Sequence, residues 1–254
     1  MPQQSPSTTI GNPFIELQSV DSTNNYAMAR IHEGMAQAGT AIFAHDQTKG
    51  KGQRSKSWTS EKNANISISL ILQPSFLSVS NQFKLSACMA VATQHFFSKY
   101  AGEETTIKWP NDIYWRDRKA AGILIENIMG SDAVQWKWAV AGIGININQT
   151  NFGAELKNPV SLKQITGKDQ DTVYLAKEFC RITDHFYKTL IQHNFESILK
   201  VYNKHLYKKN QLVKFKKGSR IFKAMVKEVL INGQLVLEHG VEEYINAGEV
   251  EWIL

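Results

Sequence analysis

The feature that most constrains this chain is a pair of strand-like runs, Ala120 to Asn127 and Trp136 to Asn148, with only a short stretch between them. A parallel pair needs a crossover of roughly a dozen residues or more, so these two runs read as antiparallel neighbours. Asn65 to Leu72 is a third run with clean alternation, Ile66, Ile68 and Leu70 on one face and Asn65, Ser67 and Ser69 on the other, the pattern of a half-buried strand. Thr40 to His45 and Thr105 to Trp109 are shorter strands, the second stopped by Pro110. Helical spacing appears at Tyr26 to Glu33, at Ser80 to Tyr100, at Thr172 to Leu190 and at Phe195 to Tyr207. Ser22, Thr23 and Asn24 stand where a cap of the first helix belongs.

After Gln211 the pattern changes to short alternating runs broken by turns, with Lys217-Gly218, Asn232-Gly233 and His239-Gly240 between them. Asn-Gly between two strands is a strong hairpin signal, so the last segment reads as a small all-β appendage. At the other end, residues 1–13 read as a disordered or loosely pinned lead-in, without the apolar core of a secretion signal. No run approaches the roughly 18 apolar residues of a membrane helix. Cys88 and Cys180 are the two cysteines, without zinc-site spacing, and read as buried thiols in a reducing cytoplasm.

The net charge of +6 is compatible with nucleic acid, an anionic ligand or an acidic protein partner. Much of it lies in two clusters. One, Lys204, Lys208, Lys209, Lys214, Lys216, Lys217 and Arg220, reads most simply as a solvated surface. The other, Lys49, Lys51, Arg54 and Lys56, falls in the glycine-containing loop from Gln47 to Trp58. Glycines let backbone N–H groups approach a ligand, and cations at this density suit phosphate or carboxylate; the plain alternative is a charged surface loop. The run from Gly50 to Ser55 is one residue short of GxGxxG, and it leads into a strand rather than a helix, so a dinucleotide-binding turn does not fit. A GxxxxGK[ST] phosphate loop is absent.

Two further segments carry chemistry. In Lys108-Trp109-Pro110-Asn111-Asp112, Pro110 ends a strand and leaves Asn111 and Asp112 where polar groups can face a pocket; a β-turn is the simpler reading. Lys119 comes next and leads into the apolar run Ala120 to Ile125, where a lysine needs an anionic or polar partner. In Ala141 to Asn148, Gly142 and Gly144 mark close approach of a ligand or of another backbone, with Asn146 on the same face by period two. A Ser/His/Asp or Cys/His nucleophile constellation is not visible. Cations and glycines without a nucleophile suit catalysis by alignment and charge neutralisation.

Taken together and in order, these segments resemble biotin protein ligase (biotin–acetyl-CoA-carboxylase ligase) from about Phe14 to Leu254. Asp21-Ser22-Thr23-Asn24 is similar to that family's DSTN, and the basic loop to its GRGRxGR-x-W element. Lys108 to Asp112 reads KWPND, Lys119 to Glu126 reads KAAGILIE against KLAGILVE, and Gly142 to Asn146 is similar to GxGIN. The loop departs from the pattern: Lys51, Gln53 and Lys56 stand where arginines are expected, and Ser55 where a glycine is. A lysine lacks the bidentate fork of arginine, so phosphate grip there is weaker or shared with Arg54.

The resemblance implies roles at the matching positions. Ser22, Thr23 and Gln47 would bond the ureido head of biotin; Gly50 and Lys51 would line its tail and carboxylate; Gly122, Leu124 and Gly142 would wall its slot. Lys119 would contact the biotin carboxylate and the α-phosphate. Asn24, Lys51, Gln53, Arg54, Lys56, Trp58, Asn111 and Asn146 would lie near the adenylate, with Asp112 positioning the incoming amine or acting as its base. Lys119, Asp112 and Lys51 are thus the catalytic candidates, and the metal ligands are not assigned. The basic loop would order over the adenylate and exclude water.

The fold implied is α+β: a mixed, largely antiparallel sheet with flanking helices, of the class II synthetase-like catalytic type, over residues 1–208, then a C-terminal SH3-like β-barrel over 209–254. The substrates implied are biotin and ATP with Mg2+, and the partner a biotin carboxyl carrier protein or domain. The chain would act in the cytoplasm as a monomer or homodimer. About 13 residues precede the matching region, too few for the DNA-binding helix-turn-helix that some members carry, so neither DNA nor membrane is an expected partner. The alternatives are a lipoate–protein ligase, which shares fold and acyl-adenylate chemistry, and, from a different class, a nucleic-acid-binding protein, for which a recognised motif and an aromatic platform are missing.

Overall fold

The computed structural model describes residues 9–130, 136–154, 156 and 158–253. In chain order the large unit runs β1 (Phe14–Leu17), α1 (Thr23–His32), β2 (Ala41–Ala44), β3 (Ile66–Leu72), α2 (Gln82–Ala101), β4 (Thr105–Lys108), β5 (Asp112–Trp115), β6 (Arg118–Met129) and β7 (Trp136–Ile145). It continues with α3 (Leu162–Thr166), α4 (Thr172–Ile191) and α5 (Phe195–Lys204). The strands form one sheet in the order β1-β2-β3-β7-β6-β5-β4. β1 pairs with β2 in parallel; the other neighbours in this order are antiparallel. The expected β6–β7 pairing holds.

The third run departs from expectation. β3 is buried along its whole length, not half-buried. Its alternation is real, but both faces are covered. Ile66, Ile68, Leu70 and Leu72 join the main core with α2 and α4, while Ile71 packs with Ala27, Ile42 and Val140 under α1. Ser67 and Ser69 are buried because their face meets other polar side chains instead of water. The helix boundaries match the apolar spacing to within a turn, and Cys88 and Cys180 are buried on α2 and α4 as free thiols. Most of the lead-in lies outside the described residues. Of its last five residues, Ile10 is buried and donates its backbone N–H to Asp184 at 2.9 Å, and Gly11 donates to the Gly39 carbonyl at 2.8 Å. These residues are therefore pinned.

The remaining strands, β8 (Leu212–Lys217), β9 (Arg220–Val229), β10 (Leu235–Glu238), β11 (Glu242–Ile245) and β12 (Glu251–Ile253), form a second, antiparallel sheet in the order β11-β10-β9-β8-β12. It has the composition expected of an SH3-like barrel. It is joined closely to the first. The Asn203 side chain on α5 bonds both the N–H and the carbonyl of Val229, at 2.7 and 2.8 Å, and the Trp109 indole donates to the Gly233 carbonyl at 2.9 Å. The second basic cluster is partly paired, Lys208 with Asp117 and Lys217 with Glu243 at 2.7 and 2.8 Å. No described helix is long and apolar enough to cross a membrane.

Candidate active site

One cavity of about 660 Å³ opens on the α1 side of the large sheet. It brings together Ser22, Thr23, Asn24, Gln47, Lys51, Gln53, Arg54, Lys56, Trp58, Asn111, Asp112, Lys119, Gly122, Leu124, Gly142 and Asn146, every expected site residue except Gly50. Gly50 lies behind the wall. A Cβ there would strike the Trp58 carbonyl, and its own carbonyl accepts the Trp58 N–H at 2.9 Å, so Gly50 closes the loop and is not part of the lining.

The floor is set by strand register. Ser67 on β3 faces Gly144 on β7, Gly144 faces Gly122 on β6, Gly122 faces Asp112 on β5, and Asp112 faces Lys108 on β4. The two glycines make a trough in the middle of this row. The Trp58 indole lies in it: a Cβ on Gly144 would fall 2.5 Å from Trp58 Cζ2 and Nε1, and one on Gly122 3.1 Å from Cζ3. The indole N–H is buried there without a hydrogen-bond partner.

At one end of the trough is a polar cluster. Ser22 occupies the N-cap position of α1 but makes no side-chain cap bond, contrary to the capping expectation, and its buried hydroxyl lines the cavity. Gln47 Oε1 accepts from the Thr23 N–H and hydroxyl at 2.8 and 3.0 Å, which leaves its amide N–H groups for other acceptors. Ser69 Oγ donates to Thr23 Oγ1 at 2.7 Å and also lies within bonding range of Asn24 Oδ1. The Asn24 amide donates to Glu126 at 2.7 Å, and Glu126 is 3.5 Å from Lys51 Nζ. Asn24 fits only because position 142 is glycine, where a Cβ would sit 2.9 Å from its Cγ.

At the other end the groups are charged. Lys119 Nζ is 2.7 Å from Asp112 Oδ1 and 5.9 Å from the Trp58 ring. Asn111 is held by its amide donating to the Ile123 carbonyl at 2.7 Å, and Asn146 by its amide donating to the Val160 carbonyl at 3.1 Å. Lys108 donates to the Tyr114 hydroxyl at 3.0 Å. Burial draws its ammonium down to about 8, with Asp112 acting to raise it and Lys119 and Lys56 to lower it. Burial, then the Asp112 carboxylate, pushes the Tyr114 phenol up.

The sequence did not point to the second sheet as part of the site. Gly248, Val250, Glu251 and Trp252 line the cavity. Arg54, at φ +54°, lays its guanidinium against Gly248, itself at φ +99° where a side chain would be strained. The Trp252 ring lies 5.8 Å from Lys108 Nζ. No sequence signal pointed to this wall, because nothing in a local pattern reports which distant sheet covers a cleft.

The arrangement is a trough with a hydrogen-bonding head and a charged end. Residues 16–146 match the family described as the Biotin/lipoate A/B protein ligase family. The chain belongs to that family. Among similar proteins, the bifunctional ligase/repressor BirA of Bacillus spizizenii is 32% identical over 194 residues, which cover 75% of this chain and 59% of that protein. The biotin–[acetyl-CoA-carboxylase] ligase of Mycobacterium tuberculosis is 30% identical over 50% of this chain and 47% of its own length. This member thus spans about half the length of the curated relatives it matches. In fold, the biotin protein ligase from Aquifex aeolicus in complex with biotin and ATP is similar with a TM-score of 0.80 at 24% identity, over 94% of this chain and 98% of that one.

Proposed function

We propose that this family member activates biotin with ATP as biotinyl-5′-AMP and transfers the biotinyl group to a lysine of a biotin carboxyl carrier protein or domain. The observation that carries the reading is the polar head of the trough. A ureido group offers one carbonyl and two N–H groups, and the uncommitted Ser22 hydroxyl with the Gln47 amide and the Thr23 hydroxyl supplies both donors and acceptors. A dithiolane would leave the Ser22 hydroxyl and the Gln47 amide N–H groups without these partners, at about 1–3 kcal/mol each where water is excluded, which favours biotin over lipoate within the family. The relatives described as biotin ligases support the same substrate.

In the first step a biotin carboxylate oxygen attacks the α-phosphorus of Mg-ATP, and pyrophosphate leaves with the bond's electron pair. Lys119, beside the glycine floor, neutralises the charge shared between carboxylate and phosphate. Drawing Lys119 toward the adenylate loosens its pairing with Asp112, whose carboxylate then meets the acceptor lysine. That amine attacks the mixed anhydride carbonyl and passes a proton to Asp112, and AMP departs with the electron pair of the broken carbonyl–oxygen bond. Mg2+ would arrive on the ATP phosphates, as is usual for this ion; among the described residues there is no group of three or more His, Cys, Asp or Glu placed to hold a metal. Residues 1–208 would form the catalytic unit and 209–254 its covering sheet. The two free buried cysteines suit the cytoplasm.

Isothermal titration tests the reading. Biotin is expected to bind at micromolar or better, about −8 kcal/mol, and to support ATP–pyrophosphate exchange. Tighter binding of lipoate, with lipoate-dependent exchange, would move the chain to the other branch of the family.

A further inference from the structure

The proposed chemistry uses Lys119 and Asp112 and leaves a second lysine on the same row without a task. Lys108 closes β4 and stands opposite Asp112, which stands opposite Gly122. Strands lie about 4.8 Å apart, so Lys108 is two strands, about 10 Å, beyond the glycine trough on the far side of the Lys119–Asp112 pair. Its ammonium bonds Tyr114 Oη at 3.0 Å and lies over the Tyr114 and Trp252 rings, 4.6 and 5.8 Å from their centroids. Asp112 is engaged by Lys119, and among the described residues Lys108 makes no ion pair with a carboxylate.

A half-buried ammonium held by a phenol and two rings is an unbalanced charge. Its depressed pKa, about 8, reports the same cost of burial. The groups facing it from the packed elements are Asp112 and Tyr114 on β5, Lys119 on β6, Lys56 on the basic loop, and Glu251 and Trp252 on β12. Three lysines against the carboxylates of Asp112 and Glu251 leave one excess positive charge, which repels an incoming ammonium and attracts a polyanion. A molecule that lies in the trough with its acyl–phosphoryl junction at Lys119 extends next toward Lys108. We propose that Lys108 is a positioning residue for the triphosphate, its ammonium bonding a β- or γ-phosphate oxygen and holding the pyrophosphate as the bond to the α-phosphorus breaks. The electron pair leaves with the pyrophosphate, and no proton transfer is needed. This rests on the ATP-dependent reading above.

The test compares wild type, Lys108→Met and Lys108→Arg in the full chain, in two separate half-reactions. In biotin-dependent ATP–pyrophosphate exchange, Lys108→Met is expected to raise the KM for ATP roughly ten- to a hundredfold, the loss of one charge-assisted bond, while the Kd for biotin stays within about twofold. Lys108→Arg is expected to recover most of the ATP affinity. Transfer from chemically prepared biotinyl-5′-AMP to a carrier domain should fall far less than exchange does. Wild-type KM for ATP should rise from pH 7 to pH 9 as Lys108 loses its proton, and this rise should flatten in the arginine variant. An unchanged KM for ATP in Lys108→Met, or transfer falling as much as exchange, overturns the assignment, the second outcome placing Lys108 with the acceptor amine. Absence of exchange in the wild type with both biotin and lipoate would instead remove the ATP-dependent reading itself.

Discussion

Replacing Gly144 with alanine separates the stability of the sheet from the use of the trough. Gly144 lies on β7 between β3 and β6, so its backbone is held on both sides and the new methyl group cannot retreat. It meets Trp58 Cζ2 and Nε1 at 2.5 Å, and the indole must lift out. A tryptophan buries up to about 250 Å²; for a half-buried ring, about 100 Å² of lost contact at about 25 cal/mol per Å² costs about 2.5 kcal/mol. Releasing the unpartnered indole N–H returns about 1–3 kcal/mol, and alanine in place of glycine in a strand returns about 0.5–1 kcal/mol. The sum is close to zero, within about 2 kcal/mol. Gly142→Ala behaves differently. Its methyl displaces Asn24, which is tied to both Ser69 and Glu126, so one buried and one partly buried hydrogen bond are strained and the loss is about 2–4 kcal/mol. Denaturant unfolding measures the first difference, and titration with biotin the second. Gly144→Ala should unfold near the wild-type midpoint yet bind biotin roughly ten- to a hundredfold more weakly, because the trough floor is overfilled. Equal destabilisation in the two variants, or wild-type biotin affinity in Gly144→Ala, would refute the reasoning.

Lys119→Ala should lower biotin-dependent ATP–pyrophosphate exchange by about a hundredfold or more; near-normal exchange removes Lys119 from the chemistry. Glu178 accepts hydrogen bonds from Lys99 and Tyr100, and although burial acts to raise its pKa, these bonds and the Lys99 charge hold it below its usual 4.5. Its contribution is therefore present above that value and is lost as pH falls through the lower folded value. Glu178→Gln should cost about 1–3 kcal/mol at pH 7 in denaturant unfolding, and a gap that persists undiminished at pH 2 would contradict this. Burial pushes the Cys88 thiol up, and pushes Cys180 up to about 12, so neither should react with a thiol reagent until the chain unfolds; labelling of the native protein at the rate of a free thiol would count against their burial.

Much of the site could be read from short segments because each residue type is required where it stands. Gly142 and Gly144 make room for Asn24 and Trp58, and Lys119 has the Asp112 partner that its apolar surroundings demanded. The segments that failed did so for physical reasons. Small polar residues on β3 look solvated in a linear pattern, yet Ser69 is fully buried because it bonds Thr23 and Asn24 on α1, which packs over that face. β1 is four residues long and owes its existence to a parallel partner on β2, a long-range fact with no local period. By contrast, the turn that Pro110 and Asn111 suggested is present at 109–111, and β5 begins at Asp112 straight after it. The C-terminal segment was legible as strands, but its contribution of Gly248 and Trp252 to the cavity depends on docking through Asn203 and Trp109.

The transverse row from Ser67 through Gly144, Gly122 and Asp112 to Lys108 has a consequence for how the chain matures. Its members come from five strands, and β7, the middle strand of the seven-stranded sheet, inserts between β3 and β6 although it comes after both in sequence. During synthesis the trough has no floor until β7 arrives, and no wall until the second sheet, which follows the large sheet in sequence, docks behind Lys108. A nascent or partly unfolded chain therefore has no rudimentary catalyst in it. On the proposed function, the capacity to make a reactive acyl phosphate would appear only once both sheets have docked, so folding itself would control the release of a hazardous intermediate.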